Sequence, residues 1–275
     1  MKTIAYYYDG YEDKPIWLDE SVASLENYYH RYDIEICNMS YKNNSSIKKY
    51  LDLRGYNWWG MMSSRILYIS EFLKTDYDMM IVTDLDYVVL RPHIDIRDHL
   101  KSDVVFPHTW KPSKQLFEKD KIKHCHNLNK IMLTEMAIPE SLHQYIDATA
   151  DFFAFSRQGC ENFIDFFNSI GWDVSTPEGL AEIHKLTTEK VEHGGISDET
   201  FFTAYLTYLN SHDVNVLFDF EDSRKAISST TWGDTNLTLT LKDLWSKNHI
   251  FHHFGSITKQ NSKEFLRLLQ LFKRD

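Results

Sequence analysis

The chain has 275 residues, 43% of them hydrophobic, and a formal net charge of −10. That apolar content supports one large buried core, and the acidic balance argues against a protein built to bind nucleic acid or an anionic membrane surface. Cys37, Cys125 and Cys160 are odd in number and widely spaced, which excludes a disulfide framework.

The opening MKTIAYYYDG has no signal-peptide core and no long apolar run follows it, so the expectation is a cytoplasmic protein without a membrane span. KTIAYYY reads as a first strand, ended by Asp9 and Gly10, and PIWLDESVASLENYYHRY as a helix with Pro15 at its start. DIEICNM is a second strand and SYKNNSSIKKY a polar loop. In WGMMSSRILYISEFLK the residues Met62, Ile66, Ile69 and Leu73 recur at helical spacing. DYDMMIVTDLDYVVLRPH, residues 76–93, reads as one strand buried on both faces, as in a parallel sheet.

SDVVFP is a further strand, and residues 107–146 form a polar, histidine-rich insertion without periodicity. ATADFFAFS is strand-like and GCENFIDFFNSIG helical; SDETFFTAYLTYL is a helix capped by Ser197 or Asp198. NHIFHHFGS is a short strand or loop before the basic helix SKEFLRLLQLFKR. Strands alternate with helices and no linker intervenes. This predicts one α/β domain over residues 1–275, with a mostly parallel central sheet flanked by helices and an insertion at about 107–146.

Two carboxylates interrupt the most apolar strand. In an extended chain residues i and i+2 point the same way, roughly 6 to 7 Å apart, so Asp84 and Asp86 share a side while Leu85 turns into the core. An uncompensated buried carboxylate costs several kcal/mol, on the order of 3 or more. Either the pair sits where the strand leaves the sheet, or a cation holds it. Carboxylates are hard ligands that suit Mg²⁺ or Mn²⁺. The bland alternative is a strand end whose aspartates cap a turn or pair with a lysine. In open α/β sheets ligands gather at the carboxyl ends of strands, where this pair lies.

The order of these pieces resembles the GT-A glycosyltransferases, whose domain is Rossmann-related, and particularly the glycogenin-like family. The resemblance rests on four parts: the opening strand; a helix with a basic residue ahead of IVTDLDYVVLRP; HGGISDETFF; and HHFGSITK. It implies transfer of a sugar from a nucleotide donor, UDP-linked, to a saccharide acceptor, with Mn²⁺ or Mg²⁺ held on the diphosphate by Asp84, Asp86 and His252. His252-x-x-Gly255 keeps the H-x-x-G part of the family's pattern, whereas Lys259 falls one place after the family's lysine, where Thr258 stands. The resemblance also places Arg65 near the donor, as a cation suited to phosphate or sugar hydroxyls. Tyr8, Asp9 and Tyr11 end the first strand, where an aromatic ring can stack on uracil. Asp151 stands where the family shows its sugar-pocket residues, and is expected to bind a sugar hydroxyl.

Stereochemistry follows from the acids of GGISDE. An inverting enzyme needs a general base at the acceptor hydroxyl and a retaining one does not. Asp198 and Glu199 supply candidates, which favours inversion over retention, against the competing account that acids gather at a helix N-terminus to complement its dipole. His124, Cys125 and His126 lack the second ligand pair that a structural zinc needs. The rival functions are a metal-dependent nucleotidyltransferase or phosphohydrolase, and a carbohydrate-binding protein without chemistry.

Overall fold

The computed structural model describes residues 1–10, 13–107, 109–110, 134, 147–148, 150–190, 197–211, 218–219, 228–230, 249–254 and 262–272. Strand β1 (Thr3–Tyr7) leads into helix α1 (Leu18–Arg31), strand β2 (Glu35–Asn38) and helix α2 (Ser45–Arg54). Next come α3 (Trp58–Ser63), a 3₁₀ turn at Ser64–Ile66 and α4 (Leu67–Leu73), then strands β3 (Met79–Thr83), β4 (Tyr87–Val89), β5 (Val104–Val105), β6 (Thr109–Trp110), β7 (Asp147–Ala148) and β8 (Phe152–Ser156). Helices α5 (Arg157–Ser169), α6 (Pro177–Lys190) and α7 (Asp198–Ser211), strands β9 (Phe218–Asp219), β10 (Ser228–Thr230) and β11 (Phe251–His253), and helix α8 (Ser262–Phe272) complete the described elements.

The main sheet has the order β2-β1-β3-β8-β5-β9. β2 and β3 flank β1 in parallel, β8 runs antiparallel to both β3 and β5, and β9 is parallel to β5. The α/β architecture with a mostly parallel sheet between helices is therefore as the sequence predicts. Its strands are apolar on both faces because each face meets its own core. Ile4, Tyr6, Met80, Val82, Phe153 and Phe155 pack into one cluster with Tyr50, Leu51, Phe72 and Phe202. Their alternates Ala5, Tyr7, Met79, Ile81, Phe152 and Ala154 pack into the other, with Leu25, Tyr29 and the α8 residues Phe265 and Leu268. The period of two along each strand sorts neighbouring residues to opposite layers.

Three local readings are corrected. SYKNNSSIKKY is not all loop: α2 begins inside it, with the Asn44 side chain accepting from the Ile47 amide at 3.0 Å. Ile47, Tyr50 and Leu51 supply a narrow apolar stripe at helical spacing, masked in the sequence by the lysines and serines around them. WGMMSSRILYISEFLK is helical but tightens to a 3₁₀ turn in its middle, at Arg65. The apolar run at residues 76–93 is two strands rather than one: β3 belongs to the main sheet, whereas β4 pairs antiparallel with β11 in a three-stranded sheet, order β10-β11-β4. Helix α6, which the sequence reading passed over, starts at Pro177 after Thr176, whose hydroxyl accepts from the Gly179 amide at 3.1 Å. The greater part of the expected insertion at 107–146, including His124, Cys125 and His126, lies outside the described residues.

Candidate active site

The two aspartates sit at the crossing between the sheets. Asp84 extends β3 by one rung, its amide donating to the carbonyl of Asp151 at 2.8 Å, and the carbonyl of Asp86 accepts from the Phe254 amide at 3.0 Å beyond β11. Between them Leu85 is buried at 3% exposure, and its carbonyl accepts from the Ser21 hydroxyl of α1. Both explanations for charge in an apolar strand apply: the strand leaves the main sheet at the pair, where Leu85 anchors the crossing, and the cationic side chain of Arg65 lies against Asp84.

The histidine beside the aspartates is His253, one residue after the expected His252. Asp84, Asp86 and His253 each offer a ligand atom, and these atoms all lie within 4.8 Å of one another. His253 Nε2 is 3.1 Å from an Asp86 oxygen and Nδ1 is 3.1 Å from Asp151 Oδ2. His253 lies opposite Tyr87 across the β4–β11 ladder, and the rings stack at 5.0 Å with 29° between planes. His252 pairs with Val88 in the ladder and lies edge-on to Phe254 at 4.7 Å. Adjacent residues of a strand point to opposite faces, so a shift of one residue exchanges a ligand for a core position. The apolar neighbours in the sequence do not distinguish them, since Ile250 and Phe254 beside His252 and Phe251 beside His253 all belong to one cluster; the pairing with β4 does.

Arg65, carried by the 3₁₀ turn, is 4% exposed and ties two distant acids together. Its NH1 group donates to Asp84 Oδ1, and its Nε donates to Asp198 Oδ2 at 2.5 Å. Asp198 opens α7 at 1% exposure, and its other oxygen accepts from the Glu199 amide at 3.0 Å. It therefore faces an arginine, while Glu199 is half-buried beside it. Asp151 is 4% exposed, its Oδ2 accepting from the Tyr87 hydroxyl at 2.9 Å as well as facing His253. Tyr8 and Asp9 follow β1 on the same edge of the sheet, both half-buried. Tyr11, Gly255 and Lys259 lie outside the described residues.

The site gathers the carboxylates Asp84, Asp86, Asp151 and Asp198 against the cationic side chains of Arg65 and His253. Desolvation pushes the Asp84 pKa up to about 7, with Arg65 pulling it down and Asp86 pushing it further up. Desolvation likewise raises Asp198 against the pull of Arg65. Burial draws the His253 pKa down, but Asp86 and Asp151 outweigh it and raise it to about 9. The site is thus short of positive charge, and its two hard oxygens and one imidazole nitrogen fit a divalent cation.

Two expectations follow. His253→Ala should weaken Mn²⁺ binding strongly in an isothermal titration, whereas His252→Ala should leave it intact and lower stability to denaturant by about 2 kcal/mol through an unfilled core position. The raised His253 pKa also sets a pH dependence. The folded state holds this proton more tightly than the unfolded chain does, so its stabilisation is complete below about pH 6.5 and is lost as pH rises through about 9. The metal-free protein should therefore lose a few kcal/mol of stability, on the order of 3 at most, between those pH values. A denaturant midpoint that stays level across that window would contradict it.

No family model matches the chain, and no curated protein matches it at a significant level. Among solved structures it is similar to mouse xyloside xylosyltransferase 1 in its apo form, with 10% identity, coverage of 94% of this chain and 98% of that one, and a TM-score of 0.47. It is also similar to a glycosyltransferase involved in the glycosylation of the major capsid of PBCV-1, with 6% identity, coverage of 98% and 100%, and a TM-score of 0.43.

Proposed function

We propose that this chain is a GT-A-type glycosyltransferase, a single catalytic domain that uses Mn²⁺ or Mg²⁺ to move a sugar from a UDP-linked donor to a saccharide acceptor. The observation that carries the reading is the convergence of Asp84, Asp86 and His253 at the carboxyl end of β3, the edge where open α/β sheets bind ligands. When bound there, the divalent cation supplies charge neutralisation for a diphosphate leaving group. The chain's own residues prepare that place. Leu85 pins the crossing so that both aspartates face one side, and Arg65 holds Asp84 against the first residue of α7. Tyr8 and Asp9 follow β1 at that edge, which supports a part for them in holding the nucleoside.

For the acceptor, Asp198 is already committed to Arg65 inside the protein, so Glu199 is the acid left to take a proton from an attacking hydroxyl in an inverting reaction. The burial of Asp198 also supports a second reading, retention, which needs no base. Proton NMR of the product made from an α-linked UDP-sugar decides between them. A β-linked product, with transfer reduced about 100-fold in Glu199→Gln while Mn²⁺ and UDP affinity persist, is the expected result for inversion. An α-linked product assigns retention.

The wider reading is tested by thermal shift with a panel of UDP-sugars, with and without Mn²⁺, and by hydrolysis of UDP-sugar without acceptor. Metal-dependent stabilisation and hydrolysis are expected. Turnover of a nucleoside triphosphate instead would indicate a nucleotidyltransferase, and binding without turnover a silent carbohydrate-binding protein.

A further inference from the structure

Asp151 is a buried acid, and the expectation that it binds a sugar hydroxyl does not account for its surroundings. At 4% exposure it lies beneath the aspartate pair, with its backbone carbonyl holding the Asp84 amide at 2.8 Å. Its Oδ2 faces His253 Nδ1 at 3.1 Å and accepts the Tyr87 hydroxyl at 2.9 Å. The Tyr87 ring in turn stacks on the His253 ring. Asp151 and Tyr87 therefore grip one imidazole from its edge and its face, leaving Nε2 directed at Asp86.

We propose that Asp151, held by Tyr87, is a positioning residue for the metal centre: it accepts the Nδ1 proton of His253 and so presents the Nε2 lone pair to the divalent cation bound by Asp84 and Asp86. The chemistry is that of the carboxylate behind a ligating histidine. An imidazole coordinates through the nitrogen that carries no proton, and a fixed acceptor at the other nitrogen selects that tautomer, locks the ring rotation and makes the ligand more basic. Backbone and side chain of Asp151 then act together, the one setting where Asp84 leaves the strand and the other aiming His253. The proposal rests on the reading of Asp84, Asp86 and His253 as a metal site, and it assigns Asp151 to the cation rather than to the sugar.

The test measures Mn²⁺ alone, by the paramagnetic resonance of the free ion, and the visible absorption of bound Co²⁺, in the full chain without nucleotide. Asp151→Asn should bind Mn²⁺ about 10- to 100-fold more weakly than the wild type and should alter the Co²⁺ spectrum. In a His253→Ala background the same substitution should cost little more, because the ligand through which Asp151 acts is already gone. Tyr87→Phe keeps the stacked ring and removes only the hydroxyl, so a loss of about threefold is expected. It also provides a second measurement if Asp151→Asn does not fold. Unchanged Mn²⁺ affinity and Co²⁺ spectrum in Asp151→Asn or, should it not fold, in Tyr87→Phe would overturn the proposal while leaving the metal site standing. So would a loss of equal size in the His253→Ala background. A wild type that binds neither ion would instead overturn the metal reading, and the proposal with it.

Discussion

Asp84→Asn and Asp86→Asn are each expected to lower sugar transfer by on the order of 100-fold or more, because under the proposed function each removes a charged ligand from a cation that would supply several kcal/mol of leaving-group stabilisation. The loss should appear in two measurements that do not depend on knowing the acceptor. Mn²⁺ should no longer tighten UDP binding in calorimetry, and the donor should no longer raise the melting temperature in a metal-dependent way. The fold should survive, since the pair occupies the crossing between sheets and Leu85 does the local packing. The two variants should nevertheless differ in stability. Asp84 is tied to Arg65, so its neutralisation leaves Arg65 with a weaker partner, whereas Asp86 faces His253. Full metal-dependent UDP affinity in both variants would show that Asp84 and Asp86 do not hold the metal.

Arg65→Ala carries the largest expected cost in stability. The guanidinium is the cationic partner of Asp198, and truncating it leaves a carboxylate at 1% exposure without its charge partner. Breaking a buried pair from one side typically costs about 3 to 5 kcal/mol, because the remaining charge is neither hydrated nor paired. At this chain length that is a fall of roughly 5 to 9 °C in melting temperature. The double variant Arg65→Ala/Asp198→Asn should recover part of the loss, since no buried charge is stranded. Differential scanning calorimetry of the two proteins side by side checks this, and a double variant less stable than the single one would show that the pair is not what holds these elements together. Turnover should fall in both, because Asp84 loses the group that orients it.

The alternation of strands and helices, the apolar faces of β1, β3 and β8, and the exceptional placement of Asp84 and Asp86 were all determined by the sequence alone. Each depends on periodicity within a dozen residues, and a carboxylate inside a doubly buried strand is conspicuous without a structure. The helix at Ser45–Arg54 was harder to read for an equally local reason: three apolar side chains among lysines and serines make a stripe too thin to stand out before the packing surface is known.

What remained for the tertiary structure was everything that depends on register and on distance along the chain. Two sheets divide the run at residues 76–93, which makes the aspartates a crossing rather than the middle of a strand. Pairing of β11 with β4 decides that His253 and not His252 meets them, since one step along a strand reverses the face and only the partner strand sets the step. Arg65 meets Asp198 across 133 positions of sequence, and Tyr87 meets Asp151 across 64. No local pattern marks either pair, because a buried charge reveals its partner only when folding brings the two out of water together.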